Sequence, residues 1–124
     1  MQAPGNAKET SDETIFDKIL TRQIPAAIVH EDDHVLAFKD IQPQAKVHVL
    51  VIPKRRATSL HDLKDRPVAQ IGEFMAGVAR VAEKLGLARG GYRVVLNTGP
   101  DAGQTVFYVH AHILGGEPLG RFGA

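Results

Sequence analysis

Residues Gly103–Gly116 read GQTVFYVHAHILGG, and from Val106 to Leu114 the stretch has the two-residue period of a β-strand. Alternation puts Phe107, Val109, Ala111 and Ile113 on one face, with Tyr108, His110 and His112 on the other. The first set is uniformly apolar and can pack beneath a helix. The second carries two imidazoles in a row, bounded by Gly115-Gly116, which packing alone explains poorly.

Upstream, Tyr92 to Asn97 predicts another strand, separated from the first by a loop with Gly99, Pro100, Asp101 and Gly103. Before it, Val68, Ile71, Met75, Val78, Ala82 and Leu85 recur at three- and four-residue steps, the mark of a long amphipathic helix. Pro67 suits its first turn and Gly86 its end. Lys46 to Ile52 is apolar and β-branched between Pro43 and Pro53, which predicts a central strand. Ala27 to Glu31 and His34 to Lys39 read as a hairpin turning at Asp32-Asp33. Near Thr14 a short helix begins, carrying Ile15, Phe16, Ile19 and Leu20 on one face and stopping before Pro25. Helix, three strands, helix, two strands, with short strand connections, predicts an α+β domain: a five-stranded antiparallel sheet with one short and one long helix packed on one side.

The chain has 124 residues, enough for one domain with one core. Residues 1–13 read as a flexible tail, 14–116 as the domain and 117–124 as a second tail. A formal charge of +1 offers no concentrated field for nucleic acid or a membrane surface. No apolar run approaches the roughly 20 residues that span a bilayer. With no cysteine, disulfides, thiolate chemistry and cysteine-bound zinc are excluded, and a reducing cytoplasm is the expected location.

Three readings of the paired histidines stand side by side. They can be surface residues on a solvated sheet face. They can share a metal, although no cysteine is near and a carboxylate third ligand is not obvious. Or they can work on a substrate.

The surroundings extend the pattern. TIFDKIL with IPA near the start, FKDIQPQAKVHVLVIPK in the middle and YRVVLNTGPDAGQTVF before the histidine row stand in that order. Together with the row they resemble the histidine triad family, and within it the Hint branch of nucleoside phosphoramidases. The resemblance covers roughly residues 14 to 116. It implies the family's fold, a homodimer whose sheets join across a twofold axis, and a purine nucleotide substrate without cofactor or metal.

It also implies roles. His110 falls on the family's nucleophile, and His112 and His48 on two further histidines of the phosphate site. A neutral imidazole keeps one free lone pair, so His110 can attack the α-phosphorus, provided its other ring nitrogen holds a proton against a carbonyl. His112 can donate to a phosphate oxygen or help protonate the leaving amine. Asp40 and Ile41 match the ribose-binding pair; Asn97, Gly103, Gln104 and Thr105 match the loop that meets the phosphate. Without the resemblance, His48 reads as a core histidine, Asp40 as the start of a turn, and the loop as an ordinary strand connection.

Tyr108 breaks the pattern, standing where the family has its first histidine. A phenol is never a cation, so the substitution leaves open an active enzyme, an altered leaving-group preference, or a protein that binds AMP or GMP with weak catalysis. Dinucleoside polyphosphate hydrolysis, the activity of a sister branch, is the other enzymatic alternative. The tail GEPLGRFGA is a second departure. In Hint proteins the tail reaches towards the partner's active site, and here Phe122 is its only aromatic residue.

Overall fold

The computed structural model describes residues 13–122. The predicted N-terminal tail, apart from Glu13, and the last two residues lie outside the described residues.

Thr14 starts α1 (Ile15–Leu20) through a reciprocal cap. Its hydroxyl accepts from the Phe16 and Asp17 amides, while Asp17 Oδ2 accepts from the Thr14 N–H at 2.6 Å. Strands β1 (Ile28–Glu31) and β2 (Val35–Lys39) form the expected hairpin. Asp32 Oδ1 closes it by accepting from the His34 and Val35 amides at 2.7 and 2.9 Å. β3 (Val47–Pro53) follows, then a single helical turn, α2 (Leu60–Leu63), which is too short for periodicity to reveal. The long helix α3 (Val68–Lys84) ends as predicted at Gly86, which takes φ +79°. Gly86 N–H donates to Glu83 O and Leu87 N–H to Ala82 O, satisfying the last carbonyls. β4 (Tyr92–Val95), a 3₁₀ turn (Pro100–Ala102) and β5 (Ala111–Gly115) complete the fold.

The five strands are antiparallel in the order β1-β2-β3-β5-β4, with β3 in the middle as expected. The helices, however, do not share one side. Val35, Ala37, Val49, Val51, Ala111 and Ile113 face α3 through Phe74, Val78 and Val81. Leu36, Phe38, Leu50, Ile52 and Tyr108 face α1 through Phe16 and Ile19. Both faces of β2 and β3 are apolar, so each needs its own cover.

β5 is shorter than the predicted Val106–Leu114. Its ladder with β3 begins at Val51↔Ala111. Pro53 brings no N–H to continue it, and Val109 N–H turns instead to Ala57 O at 2.7 Å. The alternation survives at Tyr108, Val109, Ala111 and Ile113 but fails at Phe107, which is half exposed and outside both clusters.

Candidate active site

On β3 and β5, His48 pairs with Leu114 and His112 with Leu50. Period-two geometry therefore brings both imidazoles to the α1 side of the sheet. They meet there: His48 Nε2 lies 2.9 Å from His112 Nδ1. Asp40, just beyond β2, donates its N–H to His48 O at 3.0 Å and brings Oδ2 to 3.4 Å from His48 Nε2. Its Oδ1 accepts from the Gln42 amide at 2.8 Å, which holds the carboxylate in place. The Gln44 amide donates to His48 Nδ1 at 3.0 Å.

His110 stands beside this pair, its ring centroid 5.1 Å from that of His112. The Phe16 ring stands nearly perpendicular to it, at 79° with the centroids 4.9 Å apart, so α1 braces the imidazole directly. His110 Nδ1 lies 2.7 Å from the Tyr108 carbonyl oxygen. A carbonyl only accepts, so Nδ1 carries the proton and Nε2 keeps its lone pair.

Burial keeps all three imidazoles neutral by lowering their affinity for protons, against the pull of Asp40. For His112 burial and then the neighbouring His110 and His48 press the pKa down to about 4. At neutral pH the row is uncharged.

A cleft of about 420 Å³ opens onto the pair, and it takes in Asp40, Asn97 and His112 beside His48. His110 flanks this cleft rather than lining it. Ile41 is almost fully exposed, a free apolar surface beside Asp40. Asn97 Nδ2 donates to Ala102 O at 2.9 Å, and Gly103 takes φ +80°, so both shape the loop.

Gln104 departs from expectation. Its side chain is buried, with Nε2 donating to Thr58 O at 2.7 Å and Val106 O at 3.1 Å while Oε1 accepts from Gly99 N–H. Both amide protons are spent bracing the loop, leaving none for a phosphate. Thr105 is exposed.

Tyr108 is completely buried, and its hydroxyl donates to Pro53 O at 2.5 Å. It therefore points into the α1-side core. Its backbone carbonyl meets the histidine row at His110 Nδ1.

Several contributors leave no mark in the sequence pattern. Gln44 acts through a backbone amide, which every residue but proline possesses. Arg93 donates to the carbonyls of Gly120 and Arg121, folding the C-terminal segment so that Leu119, Gly120 and Arg121 wall the cleft. The missing carboxylate of the metal reading is Asp40: it, His48 and His112 offer donor atoms within 4.8 Å of one another.

A model of the HIT domain matches residues 21–119. The purine nucleoside phosphoramidase of Escherichia coli K12 is 44% identical over 110 residues, 89% of this protein and 92% of that one. An adenylylsulfatase of Arabidopsis thaliana is 43% identical over 115 residues, 91% of this protein and 78% of its own length. Among solved structures, a HIT family hydrolase from Clostridium thermocellum superposes with a TM-score of 0.81 at 40% identity, covering 90% of this protein and 96% of that one.

Proposed function

The protein belongs to the HIT domain family, and from that premise we propose that it is a hydrolase of purine nucleoside 5′-phosphoramidates, with His110 as nucleophile. The observation that carries the reading is the 2.7 Å contact of His110 Nδ1 with the Tyr108 carbonyl, because it leaves Nε2 free to attack. Nε2 forms a bond to the α-phosphorus as the phosphorus–nitrogen bond breaks, and the amine takes up one proton from solvent as it leaves. Water then cleaves the histidine–phosphorus bond, giving up one proton and releasing the nucleoside monophosphate.

His112 holds the phosphate, backed by its contact with His48, with Asn97, Gly103 and Thr105 on the loop side. Asp40 accepts from the ribose hydroxyls, and Ile41 lies against the sugar or base. Gln104 serves this site by bracing the loop. Tyr108 serves through its carbonyl, which supports an active enzyme over a passive binder. We assign no metal or other cofactor to the reaction, and we place the protein in the cytoplasm as a homodimer.

The likeness to an adenylylsulfatase keeps a second substrate class open: an adenylate whose leaving group is sulfate. Incubation with adenosine 5′-phosphoramidate and, separately, adenylyl sulfate, followed by AMP detection, separates the two. AMP release from the phosphoramidate is expected, and His110→Ala abolishes it while AMP still binds. Tight AMP binding without turnover of either substrate would reject the enzyme reading in favour of a binding module.

A further inference from the structure

The three histidines leave one question that distances alone can answer: which nitrogen of each ring holds the proton. Two backbone groups of fixed character bound the row. At one end is the Tyr108 carbonyl, an acceptor, facing His110 Nδ1. At the other end is the Gln44 amide, a donor, facing His48 Nδ1 at 3.0 Å.

A nitrogen that receives an N–H must offer a lone pair. His48 Nδ1 is therefore unprotonated, and the neutral ring carries its proton on Nε2. That proton faces His112 Nδ1 at 2.9 Å and Asp40 Oδ2 at 3.4 Å. With an N–H directed at it, His112 Nδ1 must also be a lone pair. Its proton is left on Nε2, the nitrogen turned away from His48.

We propose that the Gln44 backbone amide is a positioning group that sets the protons of the whole histidine pair, making His112 a neutral Nε2–H hydrogen-bond donor. The inference deepens the phosphoramidase reading by giving His112 one of its two possible roles there. It donates to an anionic phosphate oxygen as a fixed dipole and does not transfer a proton, since giving one up would leave an imidazolate. Such a donor stabilises negative charge without reorganising during the reaction.

The same series of bonds explains why a carboxylate and two imidazoles sit together without forming a good metal site. A cation on His48 Nε2 would displace its proton to Nδ1, where it would collide with the Gln44 N–H. Metal binding would have to break that bond.

The test is nitrogen-15 NMR of the histidine rings at neutral pH, on the full-length protein without substrate. Protonated and unprotonated ring nitrogens differ widely in shift, and an N–H···N bond transmits a nitrogen–nitrogen coupling. Expected are Nε2-protonated patterns for His48 and His112, an Nδ1-protonated pattern for His110, and couplings from Gln44 to His48 and from His48 to His112. Gln44→Pro removes the donor, so the Gln44 coupling vanishes and the His48 and His112 shifts move towards tautomer averages. Gln44→Ala keeps the N–H and the wild-type pattern.

A proton on His112 Nδ1 or His48 Nδ1 in the wild type would overturn the proposal. So would an unaltered pattern in folded Gln44→Pro. If that variant does not fold, the wild-type spectrum alone decides. The spectra involve no substrate, so a failure here is distinct from a failure of the phosphoramidase reading, which AMP release measures.

Discussion

Tyr108 carries a phenol two residues before His110, and its ring is enclosed by the apolar cluster of Phe16, Leu36, Leu50 and Ile52. Burial pushes its hydroxyl well above the ordinary phenol range, so it stays protonated and donates to Pro53 O. Arg56 lies over the ring with its guanidinium carbon 5.7 Å from the centroid. The residue thus anchors the approach to β5, and its peptide carbonyl holds His110. Tyr108→Phe leaves the Pro53 carbonyl buried without that donor, which costs about 1–3 kcal/mol. Urea unfolding measures this, and an unchanged midpoint would reject the anchor role.

At the scale of elements, α1 is too short to be stable alone and owes its place to its cap and to its contacts with the sheet. The Phe16 ring centroid lies 5.5 Å from that of Phe38 and 4.9 Å from that of His110, so the helix that covers one sheet face also walls His110. β4 presents the opposite problem. It is the last strand of the sheet and pairs only with β5, leaving its outer edge unpaired among the described residues. Tyr92 and Val94 are more than a third exposed along it. An open apolar edge is a template for strand pairing, and this supports the proposed homodimer. Sedimentation is expected to give twice the 13.4 kDa mass of the monomer, and Val94→Lys to shift the species towards the monomer. A wild-type protein that sediments as a monomer would remove the dimer from the proposal.

For the whole molecule, the neutral histidine row ties stability to pH. His48, His110 and His112 all have folded pKa values below the ordinary 6.5, mainly through burial. Above 6.5 neither the folded nor the unfolded state takes up these protons, and the fold has its full stability. As pH falls through 6.5 the unfolded state binds them first, so stability declines until the folded pKa values are reached. Unfolding midpoints are therefore expected to drop between about pH 7 and about pH 5, and less steeply in His112→Gln. A midpoint that rises over this range would contradict the buried neutral row. Among the described residues no helix is long and apolar enough to cross a membrane.

Much of this was legible in Gly103–Gly116 and its neighbours. Alternation is a local property, so His112 on one face and Val109, Ala111 and Ile113 on the other follow from spacing alone. The long helix, its stop at Gly86 and the central strand follow from equally local signals. Spacing could not say where β5 begins, because that depends on Pro53 in another strand. Nor could it separate the helices onto two faces, because β2 and β3 carry apolar residues on both faces and the pattern names no side. Above all, the sequence by itself determined which side chains have the chemistry for phosphate. Only the tertiary structure decided that Asp40 meets His48, that Gln104 is spent on the loop, and that Tyr108 faces the core. It also decided the protons of the row, because a backbone N–H and a backbone carbonyl set them. Every residue but proline has both groups, so no sequence marks where they will be used.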